Sequence, residues 1–166
     1  MLTKNQISEI LSMALFNVRV YGILIDEQQR LLVSDEFIRG NYITKLPGGG
    51  LEIGEGTRDG LAREFMEEAN LEVRVGDHFY TTDFFQISAF NHTDQIISIY
   101  YYVHAHDTSK VLTKEIAFDF LPEQVADVKG TAEHLRWVSI SELSEEAMTL
   151  PIDKVAIKML LNKKRF

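Results

Sequence analysis

The stretch from residue 57 to 69 constrains this chain more than any other. At about 100° per residue, Leu61, Ala62, Phe65, Met66 and Ala69 fall on one arc of a helix, and Glu64, Glu67 and Glu68 fall on another. One face of such a helix must bury against a second element, most simply a sheet, while the other presents three carboxylates together. Carboxylates three and four residues apart repel each other by a few tenths of a kcal/mol per pair. A hard divalent cation would remove that repulsion, because Mg²⁺ and Mn²⁺ prefer oxygen ligands. Taken alone, the pattern fits a solvated acidic face better, so what precedes the helix decides.

The rest of the chain supplies the sheet. Residues 17–25 and 31–33 are rich in strand formers and flank a polar turn from Asp26 to Gln29. Residues 43–46 predict a short strand that stops at Pro47-Gly48. Two further strands are expected over 80–89 and 95–105, joined by a turn at 91–94, and a last one over 135–138. Helices are expected over 3–12, capped by Thr3, and from Ile152 onward, where Val155, Ala156, Met159 and Leu160 recur at helical spacing. Residues 107–130 are polar and irregular, the longest candidate loop or lid. Strands interleaved with helices, without a repeat or linker, predict one mixed α/β domain over residues 1–166.

Composition narrows the chemistry. The chain of 166 residues has no cysteine, so disulfides, thiol catalysis and thiolate metal sites are excluded. Its formal charge of −8 repels polyanions, so no nucleic-acid partner is expected, and a phosphate ester would have to be met through cations. The N-terminal residues carry no basic stretch followed by an apolar run, and the most apolar run, 96–103, is far too short to span a membrane. A cytoplasmic protein without a membrane partner is the expectation.

The residues before the helix carry a resemblance. Gly49-Gly50-Leu51-Glu52-Ile53-Gly54-Glu55, followed by Arg63-Glu64-Phe65-Met66-Glu67-Glu68-Ala69-Asn70-Leu71, resembles the Nudix box. That box is a Gly, five residues, a Glu, seven residues, then Arg-Glu-hydrophobic-any-Glu-Glu-any-Gly-hydrophobic. Gly49, Glu55, Arg63, Glu64, Glu67, Glu68 and Leu71 match outright. Asn70 replaces the usual Gly, and Asn is the next-best residue in the left-handed conformation that ends a helix. Phe65 stands where an aliphatic residue is commoner. Looser similarity extends to Arg39…Tyr42…Leu46-Pro47-Gly48 and to Arg136-Trp137-Val138-Ser139…Glu142-Leu143.

The resemblance implies a Nudix-type α/β/α sandwich with a mixed β-sheet. It implies metal-dependent hydrolysis of a phosphoanhydride in a nucleoside diphosphate linked to another group, by attack of a metal-activated water. Mg²⁺ or Mn²⁺ would be held by Glu64, Glu67 and Glu68, with Glu67 and Glu68 foremost, and by backbone carbonyls of Gly48 or Gly49. Glu55 and Arg63 would pair and fix the carboxylates. Glu64 is the favoured general base, with Glu115, Glu123 and Glu133 as alternatives outside the box. Arg39 is a candidate for a substrate phosphate, equally readable as a surface residue, and Trp137 is a candidate for a base, though a lone Trp is more often a core residue. The substrate is expected to be a small nucleotide, with a weak lean to nucleoside triphosphates because no ADP-ribose, coenzyme A or NADH signature is visible. ADP-ribose or nucleotide-sugar hydrolysis and a non-catalytic nucleotide sensor are the alternatives, and a homodimer is left open.

Overall fold

Along Phe16–Leu24 (β1), Val20 and Leu24 point to one side and Tyr21 and Ile23 to the other, so this strand buries both faces. A strand of that kind needs cover on both sides. The computed structural model, which describes residues 15–163, provides it. The helix expected over 3–12 lies outside the described residues.

β1 is followed by Arg30–Ile38 (β2), Asn41–Lys45 (β3), Gly48–Gly50 (β4), the helix Thr57–Ala69 (α1), Arg74–Thr81 (β5), Gln95–His104 (β6), Thr113–Lys114 (β7), Thr131–Ser139 (β8) and the helix Pro151–Lys163 (α2). They form two four-stranded sheets, ordered β4-β1-β6-β5 and β3-β2-β8-β7. Both are mixed: β1 runs parallel to β6 and antiparallel to β4, and β8 runs parallel to β7 and antiparallel to β2. Leu61 and Phe65 of α1 pack against Val20, Leu24, Tyr101, Val103 and Leu135. Ile152, Ala156, Ile157 and Leu160 of α2 pack against Tyr21, Ile23, Leu31, Val33 and Tyr100. The expected α/β/α arrangement is present, with its strands divided between two mixed sheets. Among the described residues no helix is long and apolar enough to cross a membrane.

α1 ends as expected. Asn70 adopts φ 46° and ψ 44°, its N–H returns to Met66 O and that of Leu71 to Phe65 O. Its buried arc is narrower than the wheel suggests: Leu61 and Phe65 are fully enclosed, whereas Met66 is 45% exposed. Phe65 fits because it lies over Gly22, where an added Cβ would sit 2.4 Å from the ring.

Two segments differ from expectation. The strand expected over 80–89 begins at Arg74 and ends at Thr81. Its first half, Arg74-Val75-Gly76-Asp77, lies before the expected span and pairs with β6 through irregularities around His78. Beyond Thr82 regular pairing lapses and returns at an isolated bridge between Ile87 and Gln95, so Phe84 and Phe85 are not strand residues and both are exposed. The stretch 107–130 is anchored rather than free. Val111 is buried with the α1-side core, β7 adds to the sheet edge, and Phe118 and Phe120 stack around Tyr42. The Asp119 N–H donates to His134 Nε2 at 3.0 Å.

Beneath the first turn of α2 lies a buried acid. Asp153 is 1% exposed and accepts a 2.8 Å hydrogen bond from the Tyr100 hydroxyl. Burial pushes its carboxyl up to about 6, against the pull of that hydrogen bond. The raised value means that the folded state holds the proton more tightly than the unfolded chain does. The stability tied to Asp153 is therefore complete below its ordinary range and is lost as pH rises through about 6. Asp153→Asn keeps an acceptor for Tyr100 and is expected to raise stability at pH 8 by up to about 3 kcal/mol. Thermal melts from pH 4 to 8 should show the gap between variant and wild type closing toward pH 4.

Candidate metal centre and adjoining cavity

The β2–β3 hairpin and the glycine strand β4 bring acids from three parts of the chain to the C-terminal half of α1. Glu36 on β2, Glu68 on α1 and Glu133 on β8 each offer a carboxylate oxygen, and these oxygens lie within 4.8 Å of one another. Glu68 Oε2 accepts the Gly48 N–H at 3.0 Å. Gly48 sits at φ +132°, and an added Cβ would lie 2.1 Å from the Val20 carbonyl oxygen, so only glycine brings the backbone this close. At Gly49 an added Cβ would meet the Glu64 carboxylate, with Oε2 at 2.5 Å, so that side chain would have to move.

Charge in this hollow is costly. Burial pushes the Glu68 carboxyl up to about 7, the nearby Lys45 opposing. Glu133 is raised by the same cause. As a residue Glu133 is solvent-exposed, but its carboxyl end turns inward to accept the hydroxyl of the fully buried Ser34 at 2.7 Å. Lys45, 4% exposed, bridges the group: its Nζ lies 2.8 Å from Glu36 Oε1, 3.3 Å from Glu68 Oε1 and 2.5 Å from Gly48 O. Burial lowers the affinity of its ammonium for a proton, and Glu68 and Glu36 more than reverse this, leaving it raised.

Arg63 organises the outer side. It binds Glu55 through Nη2 at 2.7 Å and Nε at 3.1 Å, Glu64 at 2.9 Å, Glu67 at 3.1 Å and the Gly50 carbonyl at 3.1 Å. The bond from Arg63 holds the Glu55 carboxyl below its usual range. The expected Glu55–Arg63 pair is thus present and ties the loop before α1 to the helix. Glu67 stays at the rim, its side chain 58% exposed.

The sequence-predicted residues therefore separate. Glu64, Glu68, Gly48 and Gly49 meet at one place, Glu67 borders it, and Glu133 joins it. Glu115, beyond β7, and Glu123, in a single 3₁₀ turn at Pro122–Gln124, are exposed and outside the cluster. Trp137 shares a face of β8 with Glu133 but lies four residues, about 13 Å, further along the strand. Its ring packs under the Arg30 guanidinium at 5.3 Å and lines a separate hollow with Asp26 and His104. Glu36 and Lys45 were not singled out from the sequence. Both lie where the sequence shows only a polar run or the end of a short strand. No alternation marks them, because residues 31–37 and 43–46 are buried throughout.

A cavity of about 310 Å³ adjoins the cluster, and Glu36 and Lys45 belong to the walls of both. Ile38, Ile43, Ile87 and Ile96 give it apolar sides, and Asn17, Arg19 and Arg39 give it polar ones. Arg39 stands in the two-residue β2–β3 turn at φ 50° with Gly40 at φ 81°, and its Nη1 reaches the Phe90 carbonyl at 3.4 Å. A non-glycine residue held there costs of order 1 kcal/mol, and such strain gathers at ligand sites. Arg39→Gly is expected to leave the melting temperature unchanged or higher, because glycine takes a positive φ freely. A lower melting temperature would show that the Arg39 side-chain contacts outweigh the strain.

The hollow fits a hard cation. Two oxygens on one Mg²⁺ or Mn²⁺ lie at most about 4.2 Å apart, so small side-chain rotations would let the three carboxylates share an ion. The donor set is all oxygen, as these ions require.

Known proteins share this architecture. The E. coli ORF135 protein superposes with a TM-score of 0.63 at 17% identity, over 92% of this chain and 93% of that one. A MutT NUDIX hydrolase from Burkholderia pseudomallei gives 0.62 at 16% identity, over 87% and 98%. At such identities the likeness is one of fold. A MutT-like protein of Streptomyces ambofaciens is 36% identical over 77 residues, 46% of this chain and 49% of that protein, so the match spans about half of its length. The family description "NUDIX domain" matches residues 15–160. The chain belongs to the NUDIX family, which the solved MutT-type hydrolases represent.

Proposed function

We propose that the chain is a Nudix hydrolase, which cleaves a phosphoanhydride bond in a nucleoside diphosphate linked to another group, with nucleoside triphosphates as the favoured class. The observation that carries this reading is the shared wall: the carboxylate cluster and the cavity meet at Glu36 and Lys45. A substrate with its nucleoside in the cavity would run its phosphates onto the cluster. The cavity lies at the small end of the roughly 300–1,000 Å³ range of ligand sites. One nucleoside suits it better than the second nucleoside or sugar of a dinucleotide or nucleotide sugar. The family match over most of the chain supports reading it as one domain.

Glu36, Glu68 and Glu133 would hold Mg²⁺ or Mn²⁺, and Glu67 lines a surface hollow with Glu68 and Glu133. Bound there, the ion would neutralise phosphate charge and acidify an attacking water. Glu64 is the proposed proton acceptor: Arg63 occupies its Oε1, which leaves Oε2 for the proton. Glu55 acts through Arg63, holding it in place. Arg39 and Arg19 present positive charge to an acidic substrate at the cavity walls.

The substrate class is tested with a panel of nucleoside triphosphates, ADP-ribose, nucleotide sugars and dinucleotides, with Mg²⁺ or Mn²⁺. Added inorganic pyrophosphatase tells pyrophosphate from orthophosphate release. The reading expects kcat/KM highest for a nucleoside triphosphate. A higher value for ADP-ribose or a nucleotide sugar would replace the class while keeping the reaction, and tight binding without turnover would favour a nucleotide sensor.

A further inference from the structure

Lys45 has no place in the reaction as described, yet it lies at the centre of the cluster. Its Nζ has three oxygens around it, from Glu36, Glu68 and the Gly48 carbonyl, at 2.8, 3.3 and 2.5 Å. An ammonium has three protons, so every one has an acceptor. The Tyr21 ring lies 5.6 Å from the nitrogen and closes a further side. Two carboxylates and a backbone carbonyl are also the donors a hard divalent ion would choose. The lysine thus occupies a cation position. Its backbone is fixed in β3 opposite Ser34, and withdrawing the side chain would leave Glu36, 8% exposed, without its ion-pair partner.

The charges give the consequence. Arg63 holds Glu64 and Glu67 at the outer side. Within the cluster Glu36, Glu68 and Glu133, ionised as ligands, bring three negative charges and Lys45 one positive, which leaves two for a metal to balance. One divalent ion does so. Without the ammonium three negative charges remain, one ion under-compensates them, and the oxygens around Nζ become available to a second.

We propose that Lys45 is a resident cation of the metal centre, so that the chain binds one divalent ion fewer at this cluster than it would with an uncharged residue at position 45. This rests on the metal-centre reading above. It makes Lys45 a positioning residue: it holds Glu36, Glu68 and the Gly48 carbonyl in place and sets how many ions the cluster admits.

The test counts Mn²⁺ bound to the intact metal-free protein, by titration calorimetry and by electron paramagnetic resonance of free Mn²⁺. Lys45→Met keeps the stem and removes the charge, and is expected to bind one more Mn²⁺ per chain than wild type. Lys45→Arg restores a cation and is expected to return the count to the wild-type value. Equal counts in wild type and Lys45→Met would overturn the inference and leave the metal reading standing. No Mn²⁺ on either would overturn both. If Lys45→Met does not fold, the ¹⁵N-ammonium signal of wild-type Lys45 decides during a Mg²⁺ titration. The inference expects a seated, slowly exchanging signal that persists at saturation, and its loss would contradict it.

Discussion

Glu68→Gln is expected to lower kcat/KM at least about 1000-fold, equivalent to about 4 kcal/mol of transition-state stabilisation, without unfolding the protein. Gln has nearly the same shape and still offers an oxygen to the Gly48 N–H, so the backbone around β4 keeps its partner. What disappears is one charge from a set whose oxygens lie within 4.8 Å of one another. Losing a charged ligand weakens metal binding and removes charge compensation from the leaving phosphate. Stability separates this from a structural role. Burial holds the Glu68 carboxyl up to about 7, so above that pH its ionised form costs the folded state energy. Metal-free Glu68→Gln should therefore melt no lower than wild type at pH 8, and calorimetry with and without Mg²⁺ checks both halves.

The second large effect is on folding. Gly48→Ala is expected to destabilise by about 3–5 kcal/mol or to prevent soluble expression. Two costs combine there. A φ of +132° is essentially closed to residues with a Cβ, and the added carbon would overlap the Val20 carbonyl at 2.1 Å. That carbonyl lies on β1, buried between the two helices, so the overlap cannot relax without moving the core. Urea unfolding measures it. Gly54→Ala, where φ is +100° but nothing lies within 4 Å, is the matched control and isolates the conformational cost from the clash.

The parts of the site that lie close in sequence could be read before the structure. Asn70 as helix terminator, Glu55 paired with Arg63, and the glycines before α1 all follow from residues within about two dozen positions of one another. Glu68 does too, because helical spacing places it on the same face as Glu64. Glu36 could not be read in this way. It belongs to a strand that sequence patterning stops at Val33, where the polar run Ser34-Asp35-Glu36 begins. Those residues continue the strand because each has a partner on another strand. Arg136, 101 residues away, takes Asp35 through two hydrogen bonds, at 2.7 and 3.1 Å. Lys45 takes Glu36. A buried charge becomes legible only with its partner, and the partners come from different strands. Trp137, which the sequence reads more readily as a core residue than as a base-stacking one, is carried by strand geometry about 13 Å past the cluster.

The most direct test of the central claim is phosphate release from a nucleoside triphosphate by wild type and Glu68→Gln, each with Mg²⁺ and with excess EDTA. The account predicts turnover in wild type with Mg²⁺ alone. Turnover that persists in EDTA, or that Glu68→Gln retains at saturating Mg²⁺, would contradict it.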